Sequence, residues 1–263
     1  MAVSRISQAE WSKYSKLLSQ ISEKASTEFL SFCLNNGGYA NIERQTLIDY
    51  AYALQTKYGE ASAAAAAEWY DGVAALQKVS VPAAIPAETA SYHKTAKTVN
   101  GVIKNVGNEE VLASSVGLLT KDAGQKTIIQ NARRDKAEIA FIVNGDTCAY
   151  CIALAAEGWK DASASAIGLD GEPAHLHPNC DCTYGVRFNP KLDYAGYDSD
   201  KYAKMYYGAD TPMSHPKAKD RINAMRREFY KENSEEINEQ KRDAYAKRQE
   251  RNSSKAEEDD ISG

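Results

Sequence analysis

The stretch that decides the fold reads DTCAYC over Asp146–Cys151 and HLHPNCDC over His175–Cys182. Four of the chain's five cysteines and two of its four histidines lie between the start of the first run and the end of the second. Such local clustering of soft ligands is typical of a metal site. Thiolate and imidazole groups favour Zn²⁺ over Mg²⁺ or Ca²⁺, which prefer oxygen.

This motif offers six Cys and His side chains for the four positions around a tetrahedral ion. Its first half is a C-x-x-C pair, which places two thiolates on one tight turn. In its second half a His and a Cys stand three residues apart, and two alternating cysteines would face the same way on a strand. The candidate ligands are Cys148, Cys151, His177, Cys180 and Cys182. We expect the first four to bind the ion, with Cys182 as the first substitute.

Three kinds of site are compatible with these residues. A structural zinc site with every position filled is favoured over a set of disulfides or reduced buried thiols. A catalytic metal with an open position is less favoured, because strong ligands are in surplus and no carboxylate stands in a helical pairing with them. His175 is the weakest ligand candidate, and Asp146 is expected to accept hydrogen bonds from the amides of the first turn.

Strands are predicted on both sides of the motif. Residues 137–143 contain β-branched and aromatic residues, and no helix or strand breaker occurs before the Asn144-Gly145 turn. Residues 182–188 form a second strand, which we expect to pair with the first, and a short helix is expected over 149–158. The ion would then hold together a small sheet that lacks a core of its own.

A helical hairpin is predicted at the front of the chain. Apolar residues recur at steps of three and four over 7–34 and again over 42–77, which indicates two amphipathic helices. Ser7 with Glu10 forms a capping box at the start. The Asn/Gly run over 35–38 ends the first helix and turns the chain.

A second helical segment follows a break. Two prolines over 80–86 cannot continue a helix. Further helices are predicted over 87–105 and 109–131, and Gly117 and Gly124 are expected to weaken the second of these.

The predicted fold class is α+β, mainly α: a helical N-terminal half, a small zinc-stapled β-containing module and a long charged C-terminal helix. The tyrosines after residue 190 predict an extended arm, and the charge-rich segment after it predicts a helix that buries little of itself. The expected segments are a hairpin over 1–80, a second helical segment over 81–136, the Cys/His module over 137–190, a Tyr-rich arm over 191–216, the charged helix over 217–252 and a disordered acidic tail over 253–263.

Composition narrows the possible functions. The net charge of −4 argues against a general nucleic-acid coat. The basic run Arg133–Lys136 is a candidate contact site, although a solvated helix end explains it more simply. No transmembrane helix or signal peptide is predicted, and we therefore expect no membrane partner. We also expect the protein to remain in a reducing compartment, where clustered cysteines favour metal binding over disulfide formation.

At this point the residues resemble a known family. The D-x-C-x-x-C pattern over Asp146–Cys151, followed by H-P-x-C-x-C over His177–Cys182, is similar to the C-terminal motif of phage Mu protein F-like minor head proteins. Asp181 stands where that motif usually has arginine. The alanine-rich run Ala63–Asp71 also resembles a helix near the front of minor capsid proteins of phages with Gram-positive hosts.

The resemblance implies a structural minor head protein of a tailed phage, acting in head morphogenesis. Its expected partners are the portal and the major capsid or scaffolding protein, with self-association through the N-terminal helices and contact with genomic DNA as further possibilities. The expected location is the inside of the virion, and the host cytoplasm during assembly.

Two functions of other classes remain open. A zinc-supported HNH-like nuclease also uses Cys pairs around a histidine, but the chain lacks a second C-x-x-C pair and a catalytic Asp-His or His-His start. A nucleic-acid-binding zinc module would need a basic face beside the motif, where residues 144–182 are acidic. We therefore expect a protein that is not an enzyme.

Overall fold

The computed structural model describes residues 5–144, 148–162, 182–211 and 214–232, together with residues 234, 235 and 239. In this part of the chain the fold is mainly helical with a small sheet, as the sequence predicts. The elements are β1 (Arg5–Ile6), α1 (Gln8–Asn35), α2 (Arg44–Leu76), α3 (Tyr92–Asn105), α4 (Glu109–Asp135), β2 (Glu138–Ile142), α5 (Ala149–Ala155), β3 (Lys160–Asp161), β4 (Thr183–Arg187), β5 (Asp193–Tyr194), α6 (Ser199–Tyr207) and α7 (Ala218–Glu232).

Three long helices, α1, α2 and α4, pack against one another and form the body of the fold. The capping box predicted at the start of α1 is present: the Ser7 amide donates to Glu10 Oε2 at 2.8 Å, and the Glu10 amide donates to Ser7 Oγ at 3.3 Å. The predicted hairpin of α1 and α2 is confirmed, with its apolar stripes turned inward towards α4.

The glycines of α4, which are expected to weaken the helix, are also its contact points with α1 and α2. A Cβ at Gly117 would come within 2.8 Å of the Ser22 carbonyl oxygen on α1. A Cβ at Gly124 would come within 3.0 Å of the Ser62 carbonyl oxygen on α2. Because glycine has no Cβ, α4 can approach both neighbours closely, and this packing offsets its low helix propensity.

The segment between α2 and α3 is extended as far as Ser91, so the helix predicted from residue 87 begins late, at Tyr92. Side chains of the long helices hold its peptide groups. Thr127 Oγ1 accepts from the Ala87 amide at 2.9 Å, and Gln55 Nε2 donates to the Ala90 carbonyl at 2.8 Å. These remote partners satisfy the backbone without helical hydrogen bonds, which overrides the local propensity of the alanines.

The small sheet has the strand order β3-β2-β4, and both pairings are antiparallel. The predicted pairing of the two flanking strands is confirmed, with Phe141 opposite Tyr184 and Ile142 opposite Thr183. Ile139–Ile142 and Thr183–Val186 are buried. These strands belong to a core that they share with α1, α2 and α4, so the sheet is buried through the helices and does not depend on a core of its own.

The Tyr-rich segment is not the extended arm that the sequence predicts. It contains α6, and its strand β5 runs parallel to β1 with Tyr194 paired to Ile6. Tyr194, Tyr197 and Tyr206 are buried. The rings pack inward because their apolar faces fill the space beside the sheet, where the tyrosine pattern alone suggested a surface.

Helix α7 confirms the start of the predicted charged helix. Ile222 and Met225 are buried in its first half, whereas every residue from Arg226 to Glu232 is exposed. The rest of that helix, apart from residues 234, 235 and 239, and the acidic tail over 253–263 lie outside the described residues. The domain boundaries remain predictions. Within the described ranges, no helix is both long and apolar enough to cross a membrane.

Candidate metal centre

The two halves of the Cys/His motif leave the sheet at the same end. Strand β2 ends at Ile142, which lies opposite Thr183, the first residue of β4. The chain therefore departs towards Cys148 and returns through Cys182 at neighbouring positions. The antiparallel register brings together the ends of two segments that are distant in the sequence, as a shared ion would require.

The first half of the motif begins helix α5. Cys148 is the N-cap residue, and its Sγ accepts a hydrogen bond from the Cys151 amide at 3.5 Å. Cys148 is half-buried and Cys151 is buried. The Cys148 side chain therefore caps the helix that carries both cysteines.

Helix α5 is held firmly against its surroundings. It packs on β2, α6 and α7, and the Tyr197 hydroxyl donates to the Ala155 carbonyl at 2.9 Å. Trp159, just beyond α5, contacts the rings of Tyr194 and Tyr197, and the Arg187 guanidinium lies 4.6 Å from the Trp159 ring centroid. This aromatic and cation–π packing fixes the C-terminal end of the helix that carries the cysteines.

Cys182 is buried and lies immediately before β4. Side chains alternate along a strand, so that Cys182 and Tyr184 share one face. Burial raises the pKa of the Tyr184 hydroxyl, and the nearby Tyr150 of α5 raises that pKa further. Burial likewise raises the pKa of Tyr202 on α6, with a further contribution from Cys182. Tyr184 therefore lies near α5, and Cys182 lies near Tyr202 of α6.

Gln125 of α4 holds the backbone beside Cys182 and was not predicted from the sequence. Its Nε2 donates to the Cys182 carbonyl at 3.3 Å, and its Oε1 accepts from the Tyr184 amide at 3.0 Å. Gln125 is 2% exposed. One signal could have indicated this role: Gln125 is a polar residue on a face of α4 whose buried residues are mostly apolar.

The remaining predicted residues of the site, His175, His177, Cys180 and Asp146, lie outside the described residues. Where the structure describes side chains, no three His, Cys, Asp or Glu residues form a group that could hold a metal ion. The first half of the motif fits Zn²⁺ in its chemistry, because it supplies two cysteines on one turn.

The basic run at the end of α4 is engaged within the fold. Arg133 Nε donates to the Ala162 carbonyl at 2.6 Å, and Arg134 donates to the carbonyls of Pro82 and Ala83 at 2.7 and 3.0 Å. Lys136 adopts the left-handed conformation that ends the helix. These interactions support the simpler interpretation, a helix end, over a contact site for nucleic acid.

Comparison with known proteins identifies a family for this chain. No curated protein and no solved structure matches the chain. The profile of the VG15 protein family, a family of phage-encoded proteins, matches residues 5–209, which include every element from β1 to α6. This match covers most of the sequence, and the chain belongs to the VG15 protein family.

Proposed function

We propose that this protein is a structural minor head protein of a tailed phage that acts in head morphogenesis and is not an enzyme. Its place in a phage family supports a role in the phage life cycle. The observation that carries the proposal is the register of β2 and β4, which places Ile142 opposite Thr183, so that the strands before and after the motif that resembles Mu F-like proteins end side by side.

The motif acts as a structural Zn²⁺ site in this proposal. Cys148 and Cys151 supply two ligands, and two more come from His177, Cys180 and Cys182. The bound ion supplies a cross-link between the start of α5 and the entry to β4. In the protein, β2 and β4 fix the points at which the chain leaves and rejoins the sheet, and the Cys148 side chain caps α5.

The partners that we propose are the portal and the capsid or scaffolding protein. The apolar stripes of α1 and α2 face α4, so that self-association through these helices would use their exposed leucines instead. Leu17, Leu34 and Leu76 are between 43% and 58% exposed. Exposed apolar side chains of this kind are compatible with a protein partner.

The test of the head role is a search for the protein in assembled particles. Procapsids and mature virions of the encoding phage are purified on gradients, and the protein is quantified by mass spectrometry against the portal and the major capsid protein. We expect a low copy number that co-purifies with the portal. A protein absent from both particles would overturn the head role, and cleavage of plasmid DNA in Mg²⁺ by purified protein would overturn the non-enzymatic one.

The zinc site is tested separately by elemental analysis of the folded protein. We expect one equivalent of zinc in the wild type and its loss in Cys148→Ser, together with unfolding of the wild type at lower denaturant after chelation. Cys33→Ser is the matched control, because Cys33 is buried in the last turn of α1 and lies outside the motif. Folded wild-type protein without metal would overturn the zinc site.

A further inference from the structure

The segment between α2 and α3 presents a short apolar ridge, which we define as residues 82–86. Four of its five residues, two of them prolines, are exposed, and Ala84 is half-buried. Ile85 is 61% exposed, more than any other large apolar side chain in the described part of the chain. The stretch 79–87 has no charged residue. Neighbouring apolar residues that are exposed together, unlike single scattered ones, indicate a contact with another protein.

The backbone of the ridge is fixed by side chains of the long helices. Asn131 of α4, which is 1% exposed, accepts from the Ile85 amide and donates to the Ile85 carbonyl, both at 2.9 Å. Asp71 of α2 accepts from the Ala84 amide at 2.9 Å, and Arg134 of α4 donates to the two carbonyls before it. The most exposed apolar side chain therefore stands on an ordered backbone, so that binding it costs little further conformational entropy.

The ridge is unsuited to pairing with a further strand. Pro82 and Pro86 have no amide, and the amides of Ala84 and Ile85 point inward to side chains of α2 and α4. A partner would therefore contact the side chains of the ridge. Because the isoleucine protrudes, two ridges set against each other would bury little area, whereas an interface of standard size uses about 20–30 residues on each side. The partner surface must therefore be concave.

A concave, mainly apolar surface lies on α3. This groove has a volume of about 540 Å³, and the residues that line it include Gly101, Val102 and Val106 together with Lys94 and Lys97. Val106 is 56% exposed. No atom lies within 4 Å of a Cβ built at Gly101, so the groove is open where a side chain is missing. An isoleucine side chain from outside can occupy this space.

The charges beside the ridge and the groove are opposite. Helix α3 contains three lysines and no Asp or Glu. Lys94, Lys97 and Lys104 lie on the same face as Gly101, because the four residues follow one another at steps of three and four. Lys94 forms an ion pair within the fold at 2.7 Å, which leaves the other two as the basic rim. The first charged residue after the ridge is Glu88, which is exposed and complements that rim.

We propose that the ridge of one copy of this protein binds the α3 groove of a second copy, with Ile85 as the anchor beside Gly101. The two surfaces are different, so the contact is head-to-tail, and every complex still offers a free ridge and a free groove. Contacts of this kind build rings where the rotation closes and filaments where it does not. The inference depends neither on the zinc site nor on the head role, and it does not use the exposed leucines of α1 and α2.

Sedimentation velocity of the purified protein over a range of concentrations measures this association. We expect the wild type to form dimers and larger species as the concentration rises to about 500 µM, because a single anchor on a small surface gives weak binding. Ile85→Asp, which charges the anchor, and Gly101→Leu, which fills the groove, are each expected to weaken the association by about tenfold or more. Gly72→Leu is the matched control and is expected to associate like the wild type, since Gly72 is an equally open helical glycine on α2.

Mixing the two variants distinguishes a head-to-tail contact from other kinds. Ile85→Asp keeps its groove and Gly101→Leu keeps its ridge, so an equimolar mixture is expected to form a dimer with one copy of each and nothing larger. Both variants are expected to keep the wild-type melting temperature, because neither position is packed. A mixture that stays monomeric would overturn the inference. So would a wild type that is monomeric up to about 500 µM, or one whose association neither variant weakens.

Discussion

The Tyr194 hydroxyl forms two hydrogen bonds with one residue: it accepts from the Val186 amide at 3.1 Å and donates to the Val186 carbonyl at 3.0 Å. Both residues are buried. This one oxygen therefore satisfies both backbone groups that Val186 turns away from β2, and it ties β5 to the sheet. Through β5, which pairs with β1, the contact also links the sheet to the start of the chain.

Tyr194→Phe is expected to destabilise the fold by about 3 kcal/mol, because it leaves a buried amide and a buried carbonyl without partners. The measurement is the free energy of unfolding in urea. Tyr207→Phe is the control: this tyrosine is 57% exposed, and its loss of a hydroxyl is expected to change stability by less than about 0.5 kcal/mol. Equal stability of the two variants would contradict the role given to Tyr194.

Gly117→Ala is expected to destabilise the protein by about 2 kcal/mol, although alanine is the better helix former. The new Cβ would lie 2.2 Å from Ser26 Oγ and 2.8 Å from the Ser22 carbonyl oxygen. The serine hydroxyl can rotate away, but the carbonyl belongs to α1, so the two helices must move apart. Thermal and urea unfolding both measure this effect.

The matched control for Gly117 is Gly72→Ala in α2. No atom lies within 4 Å of a Cβ built at Gly72. Because the position is helical and open, this substitution is expected to stabilise the protein by about 1 kcal/mol. A stabilising Gly117→Ala would show that α1 and α4 are less tightly packed than the structure has them.

Local signals explain what the sequence predicted well. The capping box of Ser7 and Glu10 and the Asn/Gly turn over 35–38 act within a few residues, so the bounds of α1 were predicted closely. The strands over 137–143 and 182–188 were predicted from their β-branched and aromatic residues, and their pairing followed from the motif between them.

Long-range partners explain what the sequence did not predict. The extended segment before Ser91 is held by Gln55 and Thr127, which are far away in the sequence and carry no local signal of this role. Gln125 likewise reaches Cys182 across a long sequence separation. The ligand set therefore remains a prediction, whereas the contact between Gln125 and Cys182 follows only from the packing of α4 against the sheet.

Cys33 is expected to react slowly with iodoacetamide in the folded protein. Burial, followed by the nearby Glu109 carboxylate, raises the pKa of the Cys33 thiol to about 11. At pH 8 the thiolate, which is the reactive form, is therefore about a thousandth of the total. The measurement is peptide mapping of alkylation over time, and the rate is expected to rise in proportion to hydroxide up to about pH 10.

The comparison for Cys33 is Leu34→Cys in a Cys33→Ser background. Leu34 is the next residue of α1 and is 58% exposed. A cysteine at this position would therefore be accessible to solvent while lying next to position 33. We expect it to react at least tenfold faster at pH 8, since its thiol is not buried. Similar rates at the two positions would contradict the burial of Cys33.

The carboxylate of Asp135 is expected to stabilise the fold in a pH-dependent way. Arg134 donates to both of its oxygens at 2.8 Å, and the Tyr70 hydroxyl donates to it at 2.9 Å. The bond from Arg134 is the main cause that lowers the pKa of Asp135 below its ordinary value of 3.8, and the bond from Tyr70 adds to it. The ionised carboxylate is therefore favoured more strongly in the folded state than in the unfolded one.

Because the folded-state pKa is the lower one, this stabilisation is complete above the ordinary Asp pKa and is lost as the pH falls through the folded-state pKa. Asp135→Asn removes the ion pair and is expected to cost about 2 kcal/mol at pH 7. The difference from the wild type should shrink below about pH 4, where the wild-type carboxyl also takes up a proton. Urea unfolding of both proteins across this pH range measures the difference in the free energy of unfolding.

The control is Glu88→Gln, which removes an exposed carboxylate from the extended segment that Arg134 contacts. This variant is expected to change stability little at either end of the pH range. A constant difference between Asp135→Asn and the wild type from pH 7 to pH 3 would mean that the contribution of Asp135 comes from its shape and not from its charge.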